Sequence, residues 1–152
     1  MSGFTGGCLC GAIRYRCSAD PLAFVLCHCR DCQRCTGGPF APVAVVLAET
    51  LTIVQGETRS HTVTGEDGGR VFREFCPSCG SPLFSGLEAR RKTLAVKAGS
   101  MDDSSKLVPT MHIWTDSAVA WWPLTDELPK TPRNPGKPSQ KTSSTDPAPG
   151  SS

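Results

Sequence analysis

Seven of the nine cysteines in this 152-residue chain fall into three tight clusters. The clusters are Cys8-x-Cys10, Cys27-x-Cys29-x2-Cys32 and Cys76-x2-Cys79, while Cys35 extends the second one and Cys17 stands apart. Thiolates at these spacings can converge on one metal ion, about 2.3 Å from each sulfur. The same spacings are too short for easy disulfide geometry within a cluster. The cysteines therefore predict metal centres.

The first and third clusters have the form of two halves of one site. In an extended segment residues i and i+2 face the same side, so Cys8 and Cys10 can present their sulfurs together. Cys76 and Cys79 flank Pro77 and precede Gly80, which is typical of a tight knuckle. We expect these four thiolates to share one ion in a closed structural zinc site that ties two distant segments together.

The middle cluster offers three thiolates within six residues, from Cys27, Cys29 and Cys32. Three protein ligands with an open fourth position are typical of catalytic zinc. Cys35 leaves an alternative open, because it follows Cys32 at i+3 and can close the site into a structural one. An iron–sulfur site is disfavoured, since the fourth position of a ferredoxin-type run is Pro39.

Strand patterns dominate the elements that must position these cysteines. Apolar and polar residues alternate, or β-branched residues cluster, in most segments up to residue 115. Only one short helix is expected, from about Cys29 to Thr36, ended by Gly37-Gly38-Pro39. The fold class is therefore mainly β with minor helix. The predicted strands are 12–17, 22–26, 40–47 (where Pro42 suggests an edge or bulge), 51–54, 60–63 and 71–75 around a hairpin loop, 93–98 and 112–115.

The composition indicates one domain with a tail. We expect the zinc-binding β domain over residues 1–131 and a disordered Pro/Ser-rich tail over 132–152, where no aromatic or large aliphatic residue occurs. The formal net charge of +2 is too small to indicate a nucleic-acid partner, and none is expected. No signal peptide and no run of 18 apolar residues is found, so we expect a cytoplasmic protein without a membrane partner. The oligomeric state stays open.

The cysteine clusters and their surroundings resemble the glutathione-dependent formaldehyde-activating enzyme (GFA) family, which also includes centromere protein V-like proteins. The resemblance covers roughly residues 6–132, and the order of the clusters is its specific feature. The matching segments are Gly6-Gly7-Cys8-Leu9-Cys10-Gly11-Ala12-Ile13-Arg14-Tyr15, Cys27-His28-Cys29-Arg30-Asp31-Cys32-Gln33-Arg34, Thr36-Gly37-Gly38-Pro39-Phe40, Phe75-Cys76-Pro77-Ser78-Cys79-Gly80-Ser81-Pro82-Leu83, Ala98-Gly99-Ser100-Met101-Asp102-Asp103 and His112-Ile113-Trp114-Thr115.

The resemblance implies a β-tent, a fold of small antiparallel sheets pinned by zinc, with two Zn²⁺ ions per chain. It implies a structural ion on Cys8, Cys10, Cys76 and Cys79, and an active-centre ion on Cys27, Cys29 and Cys32. The implied activity is that of a carbon–sulfur lyase acting on a glutathione-like thiol adduct of a small aldehyde such as formaldehyde. Cys35 departs from the family pattern, in which that position is usually small or apolar.

Two other functions compete with the lyase. One is a non-catalytic, zinc-stabilised binding module, and the other is a zinc enzyme of the same fold that acts on a different electrophile. The histidines are expected to be mostly structural: His28 beside the ligands, His112 packed in a strand, and His61 at the surface. Several cations can pair with the carboxylates of a glutathione-like substrate, although most should be solvated: Arg14, Arg16, Arg30, Arg34, Arg73 and Lys97.

Overall fold

The protein has ten strands and one α-helix in residues 2–135, the part that the computed structural model describes. This confirms the prediction of a mainly β fold with a single short helix. The elements are β1 Phe4–Gly7, β2 Arg14–Cys17, β3 Ala23–Cys27, α1 Arg30–Thr36, β4 Ala41–Leu47, β5 Leu51–Gln55, β6 Arg59–Thr64, β7 Arg70–Phe75, β8 Pro82–Leu87, β9 Thr93–Lys97 and β10 Met111–Ile113.

The strands form two sheets. The smaller has the order β1-β2-β5, and the larger has the order β10-β3-β4-β9-β8-β7-β6. Every pairing is antiparallel except that of β10 with β3. The β6–β7 hairpin pairs Arg59 with Phe75 through Thr64 with Arg70, around the loop that the glycines at 65, 68 and 69 predict.

Alternation along the strands separates two hydrophobic clusters. The first joins both sheets and includes Tyr15 of β2 and Phe84 of β8, whose ring centroids lie 5.0 Å apart. The second, which includes Val43 and Trp114, lies on the other face of the larger sheet. Cys76 belongs to the first cluster and Cys27 and Cys32 to the second, so the cysteines of the predicted metal sites divide between the two faces.

Pro42 does not mark an edge strand, contrary to the prediction. Strand β4 is central, between β3 and β9. Its pairing with β9 begins only at Val43, so Pro42 faces a partner strand on the β3 side alone. The missing N–H of proline therefore costs no hydrogen bond to β9.

Strand β1 carried no alternating pattern and was not predicted. Its glycines are required by packing, because a Cβ on Gly6 would lie 2.2 Å from the hydroxyl of Tyr15. That hydroxyl lies 2.7 Å from Ser100 Oγ, and burial raises the pKa of Tyr15 to about 12. The close approach of Gly6 to the tyrosine ring thus explains why β1 has glycine at that position. No helix of residues 2–135 is long and apolar enough to cross a membrane.

The segment after residue 129 contacts the domain as far as residue 134. The N–H of Trp114 donates to the Arg133 carbonyl at 3.3 Å, and Trp114 Nε1 donates to Asn134 Oδ1 at 2.8 Å. The predicted boundary at residue 131 stays a prediction, but these contacts lie just beyond it. Most of the predicted tail, residues 136–152, lies outside the described residues.

We expect a chain ending at Thr131 to melt at a lower temperature than a chain ending at Pro135. The shorter chain loses both hydrogen bonds to Trp114 and the Arg133 guanidinium 5.3 Å from its ring. Each hydrogen bond contributes about 1 kcal/mol, so Tm should fall by about 5 °C. Differential scanning calorimetry of the two truncations measures this. Equal melting temperatures would show that residues 132–135 add nothing to stability.

Candidate metal centres and the adjoining pocket

The structure brings Cys8, Cys10, Cys76 and Cys79 together, with all four sulfurs within 4.8 Å of one another. Cys10 Sγ lies 3.6 Å from Cys8 Sγ and 3.8 Å from Cys76 Sγ. Sulfurs bound tetrahedrally to one zinc ion would lie about 3.8 Å apart. This four-cysteine cluster therefore has the donor set and spacing that a tetrahedral metal ion requires.

Two turns form the four-cysteine cluster, and one of them differs from the prediction. Strand β1 ends at Gly7, so Cys8 and Cys10 lie in a turn rather than an extended strand. The N–H of Ile13 donates to Cys8 Sγ at 3.2 Å and folds the turn around that sulfur. The knuckle after β7 is as predicted: Gly80 has φ of 76° and its N–H donates to the Cys76 carbonyl at 2.9 Å.

Local hydrogen bonds favour the charged form of one thiol in this cluster. The Ser81 hydroxyl lies 3.2 Å from Cys79 Sγ, and its hydrogen bond lowers the pKa of that thiol to about 5. A thiolate is the form that binds a metal ion. The turn thus prepares Cys79 for coordination.

The second cluster comprises Cys27 at the end of β3, Cys29 at the N-cap of α1 and Cys32 in its first turn. Their sulfurs also lie within 4.8 Å of one another, with Cys32 Sγ 3.5 Å from Cys27 Sγ. The N–H of Cys32 donates to Cys29 Sγ at 3.2 Å. This hydrogen bond caps the helix and also orients the Cys29 sulfur. We call this group the three-cysteine cluster.

When the three cysteines bind protons rather than a metal ion, negative charge is distributed unevenly among their sulfurs. Hydrogen bonds from Cys27 and Cys29 lower the pKa of Cys32, and the positive charges of Lys97 and Arg73 act in the same direction. Hydrogen bonding with Cys29 and Cys32 raises the pKa of Cys27. A bound cation removes this competition, because it stabilises all three thiolates together. The donor set therefore fits a thiophilic divalent metal.

Cys35 does not belong to the three-cysteine cluster. It is half-buried on α1, and the group of sulfurs within 4.8 Å contains only Cys27, Cys29 and Cys32. Within residues 2–135 the structure adds no histidine, aspartate or glutamate to that group. The arrangement thus favours three protein ligands over the closed four-cysteine alternative.

A pocket of about 560 Å³ adjoins the three-cysteine cluster, and all three cysteines line it. Its other walls come from the face of the larger sheet, the loop of the β6–β7 hairpin, and Trp114 with Asn134. The valines at 25, 43 and 45 make part of the wall apolar. Trp114, another residue of this wall, is 7% exposed and has φ of 57°, an unfavourable backbone conformation for a bulky residue.

The pocket carries an excess of positive charge. Five cationic and three acidic residues line it: Arg30, Arg70, Arg73, Arg90 and Lys97 against Asp31, Glu66 and Asp67. Of the six cations that the sequence proposes for substrate carboxylates, three lie here, whereas Arg14 pairs with Asp102 at 2.9 Å. The pocket is thus suited to a ligand with negative charge.

Two buried histidines form a hydrogen-bonded chain that begins at His28, between Cys27 and Cys29. His28 Nε2 lies 2.8 Å from His112 Nδ1, and His112 Nε2 lies 2.8 Å from Asp126 Oδ2. The hydrogen bond with His112 lowers the pKa of Asp126 to about 2, and burial lowers the pKa of His28. The structural role predicted for both histidines agrees with these contacts, and His61 is exposed as expected.

Sequence reasoning missed Asp126, Ser85 and Trp114 as components of the site. Asp126 lies in a segment without strand or helix periodicity, so nothing in the sequence connects it with His112. Ser85 lies in β8, which has no alternating pattern. Trp114 lies in the predicted strand 112–115, but that prediction did not indicate that the residue lines a pocket.

Comparisons with known proteins agree with this architecture. The family model described as "Glutathione-dependent formaldehyde-activating enzyme" matches residues 3–117. A Halomonas elongata protein, provisionally named a glutathione-dependent formaldehyde-activating enzyme, is 30% identical over 128 residues, covering 76% of this chain and 77% of the relative. A Rhodobacter sphaeroides crystal structure superposes with a TM-score of 0.53 at 20% identity, over 67% of this chain and 91% of that one, and supports the fold alone. With a family match over most of its length and cysteine clusters that fold together as the resemblance implies, the chain belongs to the glutathione-dependent formaldehyde-activating enzyme family.

Proposed function

We propose that the protein is a zinc-dependent carbon–sulfur lyase that acts on the adduct of a glutathione-like thiol with a small aldehyde. The observation that carries the proposal is the three-cysteine cluster, whose members line a pocket with excess positive charge. Family membership supports the enzyme role and the substrate class. We propose two zinc ions per chain and, from the sequence, a cytoplasmic location.

The two clusters are assigned different roles in this proposal. Cys8, Cys10, Cys76 and Cys79 hold the structural ion, because they join the turn after β1 to the turn after β7. Cys27, Cys29 and Cys32 hold the active-centre ion beside the pocket. Zinc bound there supplies Lewis acidity and lowers the pKa of a nearby thiol.

The reaction requires little beyond positioning. In the synthetic direction a sulfur–carbon bond forms between thiol and aldehyde, and the thiol proton goes to the carbonyl oxygen. Cleavage reverses both changes, so no oxidant or reductant is needed. The apolar part of the wall lies beside the three-cysteine cluster, while the net positive charge of the pocket attracts the charged thiol substrate.

We expect the zinc-loaded protein to accelerate exchange between formaldehyde and S-hydroxymethylglutathione. Two-dimensional exchange NMR of a glutathione–formaldehyde mixture measures the rate with and without protein. Bovine serum albumin at the same thiol concentration controls for nonspecific reaction. No acceleration by protein that holds two zinc ions would contradict the lyase and favour the binding module or a different electrophile.

A further inference from the structure

Three neighbouring strands place two cations and a hydroxyl on one wall of the pocket. Arg73 of β7 pairs with Ser85 of β8, which pairs with Ala95 of β9. Lys97 follows Ala95 by two residues along β9, so its side chain leaves the same face of the sheet. Arg73, Ser85 and Lys97 all line the pocket.

Lys97 is buried and Arg73 is half-buried, and neither pairs with a carboxylate in the described part of the chain. Lys97 is 5% exposed, and its Nζ donates to Ser85 Oγ at 3.1 Å. Nε and Nη1 of Arg73 are buried and have no hydrogen-bond partner. A charge that is buried without a counter-charge is costly, so the buried ammonium of Lys97 and the buried Nε and Nη1 of Arg73 are suited to an anion.

Another cation of the same pocket shows the contrast. Arg70 is exposed, and its Nε lies 3.1 Å from Glu88 Oε2. Its charge is therefore solvated and already paired, which leaves it little free energy to gain from a ligand. Arg70 is accordingly a matched control for Arg73 and Lys97.

The charge of the three-cysteine cluster with a bound ion does not neutralise Arg73 and Lys97 together. Lys97 and Arg73 line the same pocket as the three cysteines. One divalent ion with three thiolates carries a net charge of −1, against the two positive charges of Lys97 and Arg73. One positive charge is left for a ligand, and either a carboxylate or a ligand thiolate can neutralise it.

We propose that Arg73, Ser85 and Lys97 form a carboxylate-binding subsite, and that it takes a carboxylate next to a short apolar group. Arginine and lysine hydrogen bonds to a carboxylate are strong when buried, and Val43 and Val45 offer an apolar wall beside them. The assignment of the carboxylate to the thiol or to the electrophile rests on the proposed function. Occupancy of the subsite does not.

Calorimetric titration of the zinc-loaded full-length protein with butyrate and with its neutral analogue butyramide tests the subsite. Butyrate should bind at least tenfold more tightly than butyramide. Lys97→Met and Arg73→Met should each weaken butyrate binding at least tenfold, and Arg70→Met should leave it unchanged. Equal binding of butyrate and butyramide by the unmodified protein overturns the proposal, even if a variant fails to fold.

Two further measurements separate the subsite from the metal. Butyrate binding should persist in Cys32→Ser, which lacks a ligand of the active-centre ion. If it is lost there but persists in Lys97→Met, the carboxylate binds the metal and the subsite is wrong. If Lys97→Met loses zinc and still binds butyrate, the cations serve only the thiolates, which also overturns the proposal.

S-methylglutathione, which has no free thiol, identifies the source of the carboxylate. If S-methylglutathione competes with butyrate and the dimethyl ester of S-methylglutathione does not, the subsite takes a carboxylate of the thiol substrate. If S-methylglutathione and butyrate bind simultaneously and glyoxylate displaces butyrate, the subsite takes a carboxylate of the electrophile. Because these are binding measurements, a protein that binds butyrate yet shows no lyase turnover refutes the proposed function and leaves the subsite in place.

Discussion

Cys76→Ser is expected to leave the protein unfolded or insoluble. Cys76 is fully buried in the cluster of hydrophobic residues that joins the two sheets, and its sulfur lies 3.8 Å from that of Cys10, 66 residues away. The free energy of binding zinc at a structural site is on the order of 10 kcal/mol and is available only to the folded chain. That is comparable to the whole free energy of unfolding of a domain of this size, about 5–15 kcal/mol.

Soluble yield, circular dichroism and zinc content of the purified variant measure this effect. Cys35→Ser is the matched control, because Cys35 is half-buried and lies outside both clusters. The control should fold with two zinc ions per chain. A folded Cys76→Ser protein with a wild-type melting temperature would show that the four-cysteine cluster does not hold the sheets together.

Cys32→Ser is expected to abolish lyase activity while the protein stays folded. Cys27, Cys29 and Cys32 lie within six residues, so the ion that they hold closes only a short loop. Zinc content should fall from two ions to one per chain, and exchange between formaldehyde and its glutathione adduct should return to the uncatalysed rate. Elemental analysis and exchange NMR on the same sample measure both.

Cys35→Ala is the control for Cys32→Ser and should keep both zinc ions and full activity. If Cys35→Ala releases the second ion instead, Cys35 is a ligand and the closed, structural form of the site is correct. If Cys32→Ser keeps two zinc ions and full activity, the three-cysteine cluster is not the active centre.

The grouping of the cysteines could be predicted because their spacing is local and their number is small. Each cluster lies in one or two tight turns, so Cys76 and Cys79 had to converge whatever the rest of the fold. The helix from Arg30 was predictable for the same reason, with Cys29 as its N-cap and Gly37 at φ of 73° as its end. The turn that holds Cys8 could not be predicted, because it depends on a hydrogen bond from the Ile13 N–H to Cys8 Sγ.

The pocket could not be predicted, since it depends on register between distant strands. Nothing near Arg73 in the sequence indicates that β8 and β9 align Ser85 and Lys97 beside it. The parallel pairing of β10 with β3, which brings His112 to His28, is equally nonlocal. Patterns in the sequence identify which face of a strand is buried, but not which strand lies next to it.

The division of the two candidate metal centres between separate hydrophobic clusters has an evolutionary consequence. Substitutions at sites that share no packing partners have nearly additive effects on stability. Residues around Cys27 and Cys32 on one face of the larger sheet can therefore diverge without loosening the residues packed around Cys76 on the other. A lineage with this fold can exchange one substrate for another by drift in the pocket, while the four-cysteine cluster keeps the scaffold intact.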